Sequence, residues 1–330
     1  MSLQQRVLWM FFFQPIAFAA WLPRIPEIQD RLGLDALGLS IALLGAPAGI
    51  LTTILFAGRL TSIWGARRVL VVFYPVCLLL MLPPLVAPNL IWITIALFGA
   101  GASIAMLEVG MNVTADSIER RGAKMIMSKA HGFWSLGLML GSLLGTAAAA
   151  VQLAPIAAGL IITSLALPPA MLIVSKFPRD VPAPKKAILP SKRFSPPGPV
   201  LLGVCFFALG ATLAEGAVAD WGAIFLRDVF AAGPGLSGIG VSVFALMLAL
   251  TRLGGDYLKV RFGPAPLART LVIIALFGVA TVFLAPVLPI AVLGFALIGI
   301  GVSLAYPLAV SAAAAAPGPS PAHNVAILSF

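Results

Sequence analysis

"LIWITIALFGAGASIAMLEVGMNVTAD", Leu90 to Asp116, runs for eighteen residues without a charge before it reaches Glu108. At 1.5 Å per residue that uncharged run is about 27 Å long, close to the roughly 30 Å hydrocarbon core of a bilayer. The stretch therefore reads as a membrane-spanning helix, and Glu108 as a carboxylate carried into the membrane. The rest of the chain agrees: 61% of its 330 residues are hydrophobic and only 10% charged, with mean hydropathy +1.07. A soluble domain has about 25% charged residues. Backbone polar groups in lipid must be satisfied within the protein, which leaves helices or closed barrels. Barrel strands would alternate apolar and polar residues over about ten positions, and no such pattern occurs. The expected fold class is an all-α membrane protein.

Length and hydropathy predict ten spans, at about 7–26, 39–60, 68–87, 90–115, 131–151, 155–175, 199–225, 236–256, 268–287 and 290–314. The first lacks a small-residue cleavage site and runs into "WLPRIPEIQD", so it is a retained helix rather than a signal peptide. With the N-terminus placed in the cytoplasm, eighteen of the 21 basic residues fall inside, and only Arg24, Arg31 and Arg227 outside. That bias fixes the expected topology. It also accounts for the net charge of +10 through contact with anionic membrane lipid, with no call for nucleic acid. Cys77 and Cys205 both fall within spans, which points to neither a disulfide framework nor a metal site.

The segment 176–198 is rich in lysine and proline and reads as a solvated cytoplasmic linker. It divides the chain into an N-terminal six-helix bundle, 1–175, and a C-terminal bundle, 199–330. An offset of 200 residues brings Trp21 onto Trp221, Gly38 onto Gly238, Gly99 and Gly101 onto Gly299 and Gly301, and Ser103 onto Ser303. "WGARR" at 64–68 corresponds to "FGPAP" at 262–266 with an offset of 198. Two parallel repeats joined by a basic loop are a layout of secondary transporters. A second half built like the first would hold two more spans after Phe330, so the expectation is ten helices of twelve.

"GRLTSIWGARR", Gly58 to Arg68, together with this layout, resembles the major facilitator superfamily. Its signature at that place is Gly-x-x-x-Asp-x-x-Gly-x-Arg-Lys/Arg; Gly58, Gly65, Arg67 and Arg68 match, and Ser62 stands at the acidic position. Within that superfamily "LEVGMN", Leu107 to Asn112, resembles the Leu-Glu-x-x-x-Asn element of fucose–proton symporters and their relatives. "FAAWLPRIP" (18–26), "SKAHGFWSLG" (128–137) and "AEGAVADWGAIFLRD" (214–228) resemble a bacterial inner-membrane branch near that group. The resemblance implies a two-bundle transporter in the inner membrane, proton coupling and a sugar-like solute. Span one lacks the acid that fucose-type symporters carry there, so fucose itself is not implied.

Helical spacing places Gly101, Ala105, Glu108 and Asn112 on one face of span four, a small and polar stripe. A carboxylate facing lipid costs about 2.5–3.5 kcal/mol on insertion scales, so Glu108 is expected to face a cavity or a partner. A site held partly out of water suits it to proton coupling or solute binding, with Asn112 as hydrogen-bonding partner of the ligand. Asp116 groups instead with Glu119 and Arg120 at the cytoplasmic helix end. Span seven offers Glu215 on a stripe of small residues, and Asp220 as a cap of the outer helix end. Arg24 is a candidate partner for either, or extends outward into the headgroups.

Gln14 is the other interior polar residue of span one. In span five His131 is a candidate proton relay or loop anchor, sharing a face with Ser135, Ser142 and Gly145. Gly137, Gly141 and Gly145, four residues apart, predict a close helix contact. Tyr306 and Pro307 mark a kink in span ten that could line the cavity. Gly58, Gly65, Arg67 and Arg68 are candidate gating residues.

The chain shows no Ser/His/Asp arrangement, HExxH, Walker loop or Cys/His ligand set, so neither an enzyme nor a cofactor is expected. The expected function is secondary transport of a small solute by alternating access, coupled to protons, by a monomer. The alternatives are proton-coupled efflux of toxic compounds and a non-transporting receptor or scaffold on the same fold. A lipid-modifying enzyme would cluster acidic and histidine residues at one membrane face, whereas here they are dispersed.

Overall fold

In lipid a chain closes its own backbone hydrogen bonds, and in the computed structural model of this protein helices are the only regular secondary structure among the described residues. Those residues are 1–122, 126–178 and 198–317, together with 324, 327 and 328; side chains are described for all of them except 120–122 and 128. Most of the linker expected at 176–198 lies outside them. Ten helical segments are long and apolar enough to cross a membrane: Leu3–Leu32, Ala36–Trp64, Ala66–Val86, Leu90–Glu119, Lys129–Ala150, Pro155–Ser175, Pro199–Phe230, Pro234–Leu253, Pro264–Leu284 and Leu288–Ala315. They are spans one to ten below, and each overlaps the corresponding predicted stretch.

Several spans are broken, each at a sequence cause. Span one stops at Phe13, resumes at Ile16 after Gln14 and Pro15, tightens to a 3₁₀ turn over Leu22–Arg24 and finishes as Ile25–Leu32. Proline supplies no N–H, so Pro15, Pro23 and Pro26 mark the interruptions. Span ten stops at Val302 and restarts at Ala305, just before Pro307, as the Tyr306-Pro307 pair predicts. Span four, with no proline, is one unbroken helix, Leu90–Gly122.

Helix packing rests on glycines that admit a neighbouring backbone. A Cβ on Gly137, Gly141 or Gly145 would collide with the carbonyl of Phe12, Ile16 or Ala20 of span one. The predicted glycine contact is therefore present, and span one is its partner. Gly145 consequently faces span one and not, as expected, the side of span five that carries Ser135 and Ser142.

That other side meets span eight. Gly132 faces Leu253, Thr146 and Pro23 face Gly238, and Ala150 faces Gly235. Between these the Ser142 and Ser242 hydroxyls lie 2.8 Å apart, both buried. Spans five and eight thus run antiparallel in constant register along their length. An apolar cluster also joins Trp21, Leu22, Ile25 and Leu138 to Ile224, Val241 and Ala245, across the division between spans one to six and spans seven to ten.

The internal repeat is visible in the backbone, at an offset of 198. Helices begin at Ala36 and Pro234, at Ala66 and Pro264, and at Leu90 and Leu288. Gly65 and Gly263 occupy the same positive-φ turn, at +82° and +76°. That region excludes most side chains, so glycine is required at both places. A Cβ on Gly101 would meet the Ala46 carbonyl, and one on Gly299 the Phe244 carbonyl, the same crossing once in each half. The matches at an offset of 200, Gly38 with Gly238 and Gly101 with Gly301 among them, are two residues out of this register. Trp21 with Trp221 is out by the same amount, measured from the span ends Leu32 and Phe230. Glycine and alanine are frequent enough here to coincide by composition.

Overpacking a close helix contact costs about 1–3 kcal/mol. Gly141→Leu is accordingly expected to lower the melting temperature of the detergent-purified protein by several degrees. Gly58→Leu, at a position with open space around it, is expected to leave it unchanged in the same assay.

Candidate functional site: a polar seam inside the helix bundle

The first group of polar residues gathers where span one breaks. Gln14, 3% exposed, accepts a hydrogen bond from the Trp134 indole of span five at 2.6 Å. Cys77 of span three lies beside Gln14 and Ser103 of span four. The Tyr74 hydroxyl donates to the Met10 carbonyl. Glu108 stands in the electrostatic neighbourhood of Cys77 on the same span-four helix. It is half-buried, as is Asn112 one turn further on, and neither makes a hydrogen bond or ion pair among the described residues.

The predicted stripe containing Glu108 holds only in part. Gly101 is pressed against Ala46 of span two, so at its upper end the stripe is a helix contact rather than a cavity wall. Two turns lower, Glu108 and Asn112 are free of that neighbour. Asp116 has an interaction of its own, and Glu119 accepts from the backbone N–H groups of Ile126 and Met127, closing the turn into span five.

The second group centres on a residue that the sequence analysis counted as a cytoplasmic anchor. Arg252 lies in the last turn of the helix Ile239–Leu253, and a further helix, Gly255–Phe262, carries span eight beyond it. Its guanidinium donates to the Glu215 carboxylate of span seven at 2.8 Å, to the Ser303 carbonyl of span ten at 3.0 Å and to the Ser135 hydroxyl of span five at 2.9 Å. One side chain thereby ties three spans of the second set to span five of the first. The Ser303 carbonyl is available because span ten is interrupted there. Irregular backbone inside a membrane needs such a partner. The missed signal was positional: an arginine four residues inside the predicted span 236–256 requires a partner, and a loop arginine does not.

Arg24 is not the partner of Glu215 or Asp220, and it does not extend outward. It is 2% exposed, donates to the Leu153 carbonyl in the connection between spans five and six and lies 3.1 Å from Glu27. Asp220 does not cap a helix end either, because its helix continues ten residues further to Phe230. Half-buried and without a hydrogen-bond or ion-pair partner among the described residues, it shares a face with Arg227, seven residues on. Arg227 binds the Pro26 carbonyl, Gln29 at 2.7 Å and Asp30 at 2.9 Å, and so fastens span seven to the end of span one. His131 packs its ring edge-on against Phe11 at 5.3 Å and lies one helical turn before Ser135, within the field of Arg252. Tyr306 is 48% exposed and takes no part in either group.

Of the candidate gating residues, Gly65 supplies the positive-φ turn and Arg67 donates to the Ser175 carbonyl at the end of span six. Arg6 donates to the adjacent Lys176 carbonyl. Both arginines therefore neutralise the negative end of the same helix. Arg68 is exposed, and the Ser62 hydroxyl returns to its own helix, to the Arg59 carbonyl. Gly58 is exposed with open space around it. Both cysteines are free, and no cluster of potential metal ligands occurs among the described residues.

A paired helix crossing in each half and polar side chains converging between the halves are the architecture of a transporter family. The Major Facilitator Superfamily pattern matches residues 7–329. The chain belongs to the Major Facilitator Superfamily. Among curated proteins it is 31% identical over 312 residues to an uncharacterized MFS-type transporter of Yersinia pestis, covering 90% of this chain and 77% of that one. It is 29% identical over 305 residues to the uncharacterized transporter y4wD of Sinorhizobium fredii, covering 91% and 79%. Membrane protein MosC of Rhizobium meliloti is 25% identical over 309 residues, with 92% and 73% covered.

Among solved structures, a mutant of the nucleoside transporter NupG superposes with TM-score 0.74 at 12% identity, over 99% of this chain and 86% of that one. FucP in its outward conformation gives 0.62 at 16%, over 98% and 87%. At such identities the superposition speaks for the fold alone. As a member of the superfamily, the chain is a multi-pass membrane protein of transporter lineage.

Cutting one side of an ion pair leaves the other charge in poor surroundings. Arg252→Gln is expected to destabilise the protein by about 1–3 kcal/mol. The double variant with Glu215→Gln is expected to recover part of that loss. In a thermal or chemical unfolding cycle, a coupling free energy of about 1 kcal/mol or more registers the pair.

Proposed function

We propose that this protein is a proton-coupled secondary transporter that moves a small polar solute by alternating access. The observation that carries the reading is Glu108 with Asn112. These are two half-buried polar side chains deep in span four, without hydrogen-bond or ion-pair partners among the described residues, where a solitary carboxylate is costly. A proton or a hydrogen-bonding solute supplies what they lack. Gln14, held by Trp134, and the Arg252–Glu215 pair are the neighbouring polar elements from which a solute site between the halves would be built.

The charge distribution supports an inner-membrane orientation with the N-terminus in the cytoplasm. Arg6, Arg67 and Lys176 meet at one end of the bundle, and Arg24, Arg31 and Arg227 serve the other. At that second end the Arg227 contacts and the cluster around Trp21 and Ile224 hold the halves together. On this reading, transport requires the Arg227 contacts at that end and the Arg252 contacts at the other to open in turn.

In proteoliposomes with an imposed pH gradient, wild-type protein is expected to accumulate or expel a solute from a panel of sugars, cyclitols and nucleosides. Glu108→Gln is expected to abolish gradient-driven flux while retaining solute binding. Unaltered pH-driven flux in that variant would remove Glu108 from the coupling. No flux of any solute by folded wild-type protein would favour a receptor or scaffold.

The seam between spans five and eight offers a second test. Serine hydroxyls 2.8 Å apart set positions 142 and 242 side by side across the halves, the place to try a cysteine cross-link. Oxidation of the double variant Ser142→Cys with Ser242→Cys is expected to arrest transport, and reductant to restore it. Undiminished transport by fully cross-linked protein would exclude sliding of these two spans as the conformational step.

A further inference from the structure

We infer that the membrane end at which span six stops binds the phosphate headgroup of an anionic phospholipid, held by Arg6, Arg67 and Lys176. Arg6 of span one donates to the Lys176 carbonyl, and Arg67 of span three donates to the Ser175 carbonyl at 2.7 Å. These carbonyls belong to neighbouring peptide groups at one helix end. Two guanidinium groups from different spans therefore converge on a residue that itself carries a third positive charge. Arg68, exposed beside Arg67, adds a fourth at the rim.

Charge is what makes the cluster a site. None of these four side chains has a carboxylate partner among the described residues. Of the acids at the same end, Asp116 has an interaction of its own, and Glu119 accepts from the backbone N–H groups of Ile126 and Met127. The end of span six supplies roughly half a negative charge through its helix dipole, too little for three cations. Arg67 Nε is buried without a hydrogen-bond partner, and the bond of Arg6 uses only its Nη1. Both guanidinium groups thus keep donors for an acceptor that also brings charge. A phosphodiester spreads its charge over two acceptor oxygens, which suits paired N–H donors of arginine.

The surroundings select a lipid over a free phosphate ion. Along span six Ile161, Leu165 and Leu172 are exposed at helical spacing, and Lys176 continues their line. On span three Arg68, Val72 and Leu79 repeat the arrangement, a cation at the head and exposed apolar side chains below it. Spans three and six pack against each other, so apolar stripes on both run from the cationic end into the membrane. Trp9, one turn from Arg6, and Trp64, just before the Gly65 turn, are exposed aromatic residues of the kind that sit at headgroup level. Basic pockets between membrane helices suit anionic headgroups for the same electrostatic reason.

A lipid bound there clasps the ends of spans one, three and six, all within the first half, and its expected effect is on stability. The test is thermal unfolding of the detergent-purified full chain, titrated with dioleoylphosphatidylglycerol, with dioleoylphosphatidylcholine or with glycerol phosphate. Phosphatidylglycerol is expected to raise the melting temperature by several degrees and to saturate, and the other two are not. The double variant Arg6→Gln with Arg67→Gln is expected to weaken the apparent phosphatidylglycerol affinity about tenfold or more. Arg261→Gln with Arg269→Gln, which removes the same charge from exposed positions of the second half, is expected to leave it unchanged. Should the first double variant fail to fold, Lys176→Ala, at an exposed side chain, is expected to weaken it roughly fivefold. No rise with phosphatidylglycerol, or an equal rise with phosphatidylcholine, would overturn the inference. A rise with glycerol phosphate would overturn the lipid in favour of a free phosphate, and equal losses in the two double variants would reduce the cluster to diffuse attraction.

Discussion

The structure turns on span five, a helix with two incompatible duties. Along one face Gly137, Gly141 and Gly145 bring its backbone against the carbonyls of span one. Along the other, Ser135, Ser142 and Thr146 meet span eight. Between helices in lipid the hydrophobic effect supplies little attraction, so close van der Waals contact and hydrogen bonds must hold them. The glycine face gives a fixed contact inside the first half. The hydroxyl face gives a contact across the halves made of short side chains and hydrogen bonds.

Charge is placed by the same rule. A guanidinium or carboxylate within the bundle must find its counterpart in protein, because lipid offers none. Arg252 does so three times over, with Glu215, Ser135 and the Ser303 carbonyl released by the break in span ten. The arginines of the two membrane ends settle on carbonyls at helix ends or in the connections beside them: Arg6 on Lys176, Arg67 on Ser175, Arg24 on Leu153, Arg31 on Leu85 and Ala87. Basic residues counted as topological anchors thus also close the backbone at helix ends. Against this background Glu108 and Asn112 stand out, because neither has a hydrogen-bond or ion-pair partner among the described residues.

The repeat shows how far two halves can diverge on one backbone plan. Span starts and the Gly65 and Gly263 turns remain 198 residues apart. Span four continues unbroken where span ten is interrupted, and only the interrupted copy supplies a carbonyl to an arginine. Sequence matching at an offset of 200 was misled by frequent glycines. Backbone geometry is a stricter witness, since a positive φ or a carbonyl-level crossing admits few residue types.

The number and place of the spans, the glycine contact of span five, the kink before Pro307 and the unusual position of Glu108 were all determined by sequence alone. Each rests on a local property: a hydropathic run, a spacing of four, a missing N–H, a charge in an apolar stretch. Pairing was decided only by the tertiary structure. Arg252 joins Glu215 across 37 residues of chain, Arg227 joins Asp30 across 197, and Arg24 turns to Leu153 rather than to either acid. Such partnerships depend on relative helix rotation and depth. Those are set by side-chain packing summed over the whole bundle, and no local pattern in the sequence carries them.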